Sequence, residues 1–504
     1  MNEVVIVANK GFPLLAALQL LPLAGAALVI ALRERGRAVL LSRLVAVAEL
    51  VLAAMLLRRV DAASSALQLG ERVDPLLYHA AADGVTALFV LLTALLTLLL
   101  TLYGVVRGLA SSGRLAAVIL ASEAALMSML TTVNLAWFAL ASVVQLALAA
   151  YLVGRWSTST EENRALAMAR FTQFQAFGWL LLVGGIVILA WGHADATGRW
   201  SFDLADLARV PAEGKFQTAA FFLLFYGLAV RTPLFPLHGW LPHVVQRGMV
   251  AVAPALLLGI KVGIYGIVRF VLPLTREAVL AWQGWVVAFA MAGVFYAAIL
   301  ALQQSNLRRL LAFAVVSHTG LIVIGLFTLD PAGLQGAVLL TVNFGLAVTV
   351  MLFMVGFVFR RTRTTDLDRL GGLFDRIPFI AVTFLVGGLA IVGMPGTPGF
   401  DAAHLVLEAA IHRFGALPSV ATALGNVAAA GFLLWAFQRA FLAPRHETGA
   451  GEGRTAAIPR AEPMEYFVGG LSLLVLLVAG FYSTPWLELT EAALRALAAR
   501  YGNG

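Results

Sequence analysis

The chain contains no cysteine, and only three of its 504 residues are lysine. Without cysteine there can be no disulfide, no thiolate metal site and no iron–sulfur cluster. Charge of either sign is scarce: 12 % of residues are Asp, Glu, Lys or Arg, against about 25 % in a soluble globular domain. The opening MNEVVIVANKGF has no basic run ahead of a short apolar core. No cleaved signal peptide is expected, and the first apolar stretch reads as a retained span. No phosphate-binding glycine loop is present, and the GxxxG-like spacings are helix-packing signals. A soluble-type active site is therefore not expected. Neither a cofactor nor a metal site is expected in this chain.

What the sequence has is apolar length. Hydrophobic residues make up 61 % of it, with a mean hydropathy of +0.90. The formal net charge is +8, but the arginines are spread among short loops. They read as orientation signals in a lipid bilayer and not as a nucleic-acid surface. The expected fold class is an all-α polytopic membrane protein.

A span needs about 20 apolar residues. By that rule about fourteen transmembrane helices are expected, near 11–32, 39–57, 85–106, 115–132, 134–154, 171–192, 216–241, 249–271, 279–300, 307–327, 333–358, 378–411, 417–441 and 465–485. Two are broken: Ala219–Pro242 contains RTPLFPLHGWLP, and Pro378–Ile411 contains GMPGTPGF. Proline removes a backbone donor and stops the helical ladder. Unwound backbone at membrane depth is tolerated only inside protein or along a wet cavity. Each broken helix is the fourth in a run of five, helices 4–8 and helices 9–13. An odd number of spans reverses the second unit, which is the pattern of two inverted five-helix repeats. The expected organisation is 1–114 for the first three helices, 115–271 for the first repeat and 272–441 for the second. Residues 442–504 hold an inside loop, helix 14 and an amphipathic helix, Leu487–Arg500, at the interface. With the N-terminus outside, about 21 basic residues fall inside and about 12 outside. That bias supports both termini outside.

Few residues can carry chemistry. Lys261 sits in the apolar run AVAPALLLGIKVGIYGIVRFV, while Lys10 and Lys215 lie in segments that read as solvent-exposed. A lysine near mid-membrane costs about 2.5–3.5 kcal/mol, so it normally faces a polar path or partner. Burial disfavours the charged form of an amine, which suits lysine to proton exchange. Snorkelling to the interface is the blander reading, and about ten residues on either side make it a long reach. Arg231 opens the first break and stays charged, so it can hold a counter-ion or shape a field. His238 in PLHGWLP is either a hydrogen-bonded histidine in a helix break or a relay. His318 in SHTG suits a relay. Glu123 is the only acid in helix 4. Asp401 and Glu408 follow the second break; either is a candidate proton exit, and Glu408 reads equally as an outer-surface residue. Asn343 and Gln145 are intramembrane amides, and Asp83 reads as the cap of helix 3.

In order along the chain, HAAADGVTALFVLLT, NLAWFALASVVQLALAAYLVGRW, AVRTPLFPLHGWLPH, LLLGIKVGIYGIVRF, SNLRRLLAFAVVSHTG, VGMPGTPGF and LWAFQRAF resemble the antiporter-like membrane subunits of respiratory complex I (NADH:quinone oxidoreductase), of the chain M type. These are related to cation/proton antiporter subunits of the Mrp kind. The resemblance covers roughly residues 75–445. It implies fourteen helices, two inverted repeats and proton transfer along a buried charged axis driven by a remote redox module. It places the helix-8 lysine on Lys261 and the helix-10 histidine on His318. It also implies departures. Arg231 replaces the helix-7 lysine, Val143 or a neighbour stands where a helix-5 glutamate is usual, and Asn343 replaces the helix-11 histidine. The helix-12 group falls near Ala403, flanked by Asp401 and His404. Glu123 is the expected substitute partner for Arg231.

The reading is a proton-translocating subunit with Lys261, His318, Arg231, Glu123, His238, Asp401 and Glu408 on its path. Its partners would be other membrane subunits, a peripheral cytoplasmic module and the lipid bilayer of a bacterial inner membrane, with no nucleic acid. The alternatives are a diverged paralogue in an inorganic-carbon uptake complex, a membrane-bound hydrogenase or an Mrp-type antiporter, or a non-conducting scaffold. Sodium would want several oxygen ligands; no cluster of acids is seen, so protons are favoured.

Overall fold

The structure, a computed structural model, describes residues 4–32, 35–73, 77–106, 113–248, 261–444 and 458–502. Eleven of its helices are long and apolar enough to cross a membrane. They are α1 (Leu14–Ala31), α2 (Arg35–Arg59), α3 (Gly84–Val106), α4 (Gly113–Thr131), α5 (Leu135–Arg155), α6 (Glu161–Thr197), α11 (Arg276–Leu302), α12 (Leu307–Leu326), α13 (Pro331–Thr362), α16 (Ala416–Leu442) and α17 (Pro463–Phe481). Between α6 and α11 lie the short α7 (Leu204–Arg209), then α8 (Gly214–Arg231), α9 (Leu241–Arg247) and α10 (Val262–Leu274). The second broken span is α14 (Pro378–Val392) followed by α15 (Pro398–Phe414), and α18 (Thr484–Ala499) is the last helix among the described residues. Helix stands at each of the fourteen expected places; for the eighth, residues 249–260 lie outside the described residues.

Capping explains several helix starts. Asn134 accepts from Trp137 N, Asn306 from Arg308 N and Asp330 from Ala332 N. Each satisfies a donor that the first helical turn leaves orphaned. The 37-residue α6 outruns its expected span, because apolar runs mark only the stretch inside lipid while the helix starts earlier, after Thr160 and on Glu161 and Glu162.

The helix ends sort to two faces. On the face that the arginine bias assigns to the inside, Arg308 donates to Thr158 Oγ1 at 3.0 Å and Arg361 pairs with the fully buried Glu465. The loop expected at Leu442–Pro463 falls on this face, with residues 445–457 outside the described set. The opposite face carries a feature the sequence reading missed, a three-stranded sheet of β1 (Ile6–Ala8), β2 (Leu67–Val73) and β3 (Tyr78–Ala82). The segment read as the entry to helix 3 is strand up to Ala82, antiparallel to β2. Here α18 closes the bundle: Gly84 comes so near the Leu489 backbone that an added Cβ would lie 1.6 Å from its oxygen, and Tyr501 Oη donates to Leu272 O at 2.5 Å. α12 and α13 are almost wholly surrounded by other helices, and they form the centre against which both breaks are packed.

Candidate functional site: a polar axis at mid-depth

The first break runs from Thr232 to Trp240. Thr232 Oγ1 donates back to Leu228 O at 2.8 Å, and Trp240 Nε1 closes the gap by donating to Val230 O at 3.0 Å. α10 packs into this break through glycine. A Cβ on Gly263 would lie 1.8 Å from Thr232 Oγ1 and 2.6 Å from Leu228 O. The contact sets the height of Lys261, which stands immediately before α10.

Lys261 is 2 % exposed. Its Nζ donates to Thr319 Oγ1 at 2.8 Å and lies 4.2 Å from the Phe344 ring centroid, a cation–π contact. Lys10 and Lys215 are exposed, as expected. Thr319 Oγ1 in turn donates a hydrogen bond to Val315 O at 2.7 Å. Next to Thr319, His318 is fully buried with its ring 5.1 Å from Phe344. Its Nε2 is 2.7 Å from Ile391 O and its Nδ1 3.2 Å from Ala314 O. Both ring nitrogens thus face carbonyl acceptors. A neutral ring can donate to only one of them and an imidazolium to both, which is geometry a relay can use.

Ile391 lies in the last turn before the second break. Gly393 and Gly396 take φ of +79° and +88° there, a region that favours glycine. Asn343 Nδ2 donates to Ala390 O at 2.9 Å, while its Oδ1 is buried without a partner. Gly399 admits this amide: a Cβ there would lie 2.5 Å from Asn343 Nδ2. Lys261 on Thr319, the Phe344 ring against both Lys261 and His318, and His318 on Ile391 O therefore run from α10 to α14.

On the other side stands Arg231, the half-buried last residue of α8. Its Nη1 donates to Ser142 Oγ at 2.9 Å and its Nη2 to Gln145 Oε1 at 2.5 Å, with Met129 Sδ at 3.6 Å. This narrows one expectation and corrects another. Val143 is 37 % exposed on the outside of the bundle; on a helix, Ser142 and Gln145, three residues apart, share the inward face. Glu123 is not the partner of Arg231: it is fully buried and neither carboxyl oxygen has a hydrogen-bond partner.

The remaining candidates are scattered. His238 is 7 % exposed among Phe235, Tyr296 and Phe313, with its Nδ1 unpartnered. Asp401 Oδ2 accepts from Ser483 Oγ, tying α15 to the start of α18. Glu408 and His404 are exposed on the flank of α15. Asp83 is more than a cap. Its Oδ1 accepts from Thr86 N at 2.9 Å and also from Arg269 Nη2 at 2.6 Å, both side chains being buried. The pair borders an outer-face cavity of about 780 Å³ lined also by Arg276 and Arg500. Arg269, Glu465 and Glu49 were all overlooked in the sequence. The signal that singled out Glu123, one acid in an apolar run, is present in VAVAELVLAAML around Glu49 as well. No group of three or more His, Asp or Glu able to hold a metal occurs among the described residues.

The model of the family described as NADH:quinone oxidoreductase/Mrp antiporter, TM, matches residues 132–427. The chain is 28 % identical over 352 residues to NADH-quinone oxidoreductase subunit M of Escherichia coli, covering 68 % of this chain and 67 % of that protein. It is 27 % identical over 458 residues to F(420)H(2) dehydrogenase subunit M of Methanosarcina mazei, covering 88 % and 90 %. Among solved structures, a chain of respiratory complex I from Thermus thermophilus superposes with a TM-score of 0.83 at 27 % identity, over 96 % of this chain and 99 % of that one. A chain of the Mrp complex from Dietzia sp. shares the fold with a TM-score of 0.84 at 21 % identity, over 97 % and 98 %.

Proposed function

Because the chain belongs to the NADH:quinone oxidoreductase/Mrp antiporter membrane family, we propose that it is a proton-translocating membrane subunit of a complex I-type NADH:quinone oxidoreductase. The observation that carries this reading is the mid-depth run of Lys261 on Thr319 and of the adjacent His318 on Ile391 O at the second break. Its one ammonium has no acidic partner among the described residues. A buried cation held only by a hydroxyl and a ring face is costly; it has a use where the charge must come and go. The chain itself would hold no redox centre. Its energy would come from a peripheral module, and its neighbours would be other membrane subunits in a bacterial inner membrane. Glu123, His238, Asp401 and Glu408 remain proposals as path residues, and Glu408 is placed on the flank of the bundle.

A specific observation favours a second reading, a diverged paralogue in another ion-translocating complex: Arg231 rests on Ser142 and Gln145 and has no carboxylate partner there. Proton pumping in membranes carrying Lys261→Ala, with pull-down of the complex, tests both. Assembly with lost pumping supports conduction, and the co-purified subunits decide which machine it serves. Assembly with full pumping removes Lys261 from the path.

A further inference from the structure

The most anomalous polar group in the bundle lies away from the lysine. Glu49, in the middle of α2, and Glu123, in the middle of α4, are each 0 % exposed. All four carboxyl oxygens lack a hydrogen-bond partner. The two groups are close enough to act on each other's charge, and α2 packs on α4. A third side chain points the same way: the Thr97 hydroxyl on α3, also 0 % exposed and otherwise unpartnered, is turned to Glu123. Among the described residues, no basic side chain acts on either carboxyl. The nearest cations along the two helices, Arg43 and Arg114, stand about two turns away toward the inner face.

An ionised carboxylate without a cation is heavily penalised in so dry a place, and two side by side cannot both ionise. We propose that Glu49 and Glu123 together form a proton-holding site, a second station at mid-depth that stands apart from the lysine line. On loading, one carboxylate oxygen gains an O–H bond from a hydronium ion and leaves water; on release the same bond breaks and the proton returns to water. A metal cation fits less well, because two carboxyls and one hydroxyl supply few of the oxygens a hard cation wants. The station's part in transport rests on the proton-conduction reading, but its protonation does not.

Infrared spectra of the purified native complex in H2O and D2O test it, comparing wild type with the Glu49→Gln/Glu123→Gln double variant. Glutamine copies the shape of a protonated glutamate, so the variant should assemble with its melting temperature within about 2 °C of wild type. Wild type should show a protonated-carboxyl stretching band that shifts in D2O and is missing from the double variant. If the double variant fails to assemble, the single Glu→Asp variants should each shift that band. A spectrum unchanged by any of these substitutions overturns the proposal. So does a wild-type band abolished by sodium or potassium chloride, which would make the site a cation site. In vesicles, Glu123→Gln should cut proton flux by about 100-fold, and full flux removes the pair from the path. Lys261→Ala should leave the band in place. Lost flux in Glu123→Gln with full flux in Lys261→Ala would sink the lysine line and keep the station; the reverse would keep the line and confine the pair to structure.

Discussion

Helix α10 and the residue before it carry two buried cations that the protein treats in opposite ways. Arg269, near the outer end, is paired with Asp83 at 2.6 Å, and Thr86 and Tyr265 accept further hydrogen bonds from its Nη2 and Nε. Lys261, two turns deeper, has one hydroxyl and one ring face. The first arrangement is closed: its charges cancel, and moving a proton there would leave an orphan. The second is open, because no acid among the described residues neutralises the ammonium and little is lost when it gives up its proton. A fixed counter-ion marks a charge that holds the bundle together; its absence marks one that can change.

The largest effect should come from breaking the closed site. Asp83→Asn leaves Arg269 buried and unpaired, at a cost of about 3–5 kcal/mol. The variant chain should be depleted from membranes, and the purified complex should melt well below wild type. Wild-type stability would erase the distinction between the two cations. At the open site, Lys261→Met should do the opposite. Removing a cation that costs about 2.5–3.5 kcal/mol should keep or raise the melting temperature, while proton flux falls by about 100-fold. Lower stability with full flux would make Lys261 structural.

Gln145→Glu sharpens the contrast by giving Arg231 the counter-ion it lacks. A charged hydrogen bond contributes about 1.5–3 kcal/mol, so the complex should gain stability and transport should slow as the cation is pinned. Faster transport at unchanged stability would contradict the idea that pairing closes a site. At the second break, Gly399→Ala forces a methyl against Asn343 Nδ2 and should cost about 1–3 kcal/mol. Denaturation of the complex reads it, and no loss would mean that the break has slack. The smallest effect belongs to Glu408→Gln. This carboxylate is exposed, and its removal should change stability by no more than about 0.5 kcal/mol; a larger loss would place a partner subunit against that flank.

Legibility varied with the kind of signal. Span positions were readable because burying about 20 apolar residues in lipid overrides every other preference. Both breaks were readable because Pro233, Pro236, Pro395 and Pro398 cannot extend a helical ladder. The sheet of β1, β2 and β3 was not readable. Its strands are short, lie in loops and gain their partners from the far end of α2. The candidate site was half readable. Lys261 and His318 were readable as rare polar residues in apolar helices, and the structure adds Thr319 as the partner of Lys261, Ile391 O as the partner of His318, and the Phe344 ring against both. Glu123 was found, but its partner was named wrongly. Arg269 and Glu49 were passed over, although each is as rare in its helix as Glu123.

By itself, the sequence determined the membrane class, the order of the apolar helices, the two breaks and the burial of Lys261, His318 and Glu123. Those properties follow from composition and local geometry, which each segment carries alone. Tertiary structure decided who faces whom: Arg231 on Gln145, Arg269 on Asp83, Glu123 on Glu49. The reason is angular. A step of one residue turns a helix by about 100°, so Val143 looks outward while Ser142 and Gln145 look in. Helix packing, through close contacts such as Gly263 on Thr232, sets the rotation and height that turn a set of buried charges into closed pairs and open ones.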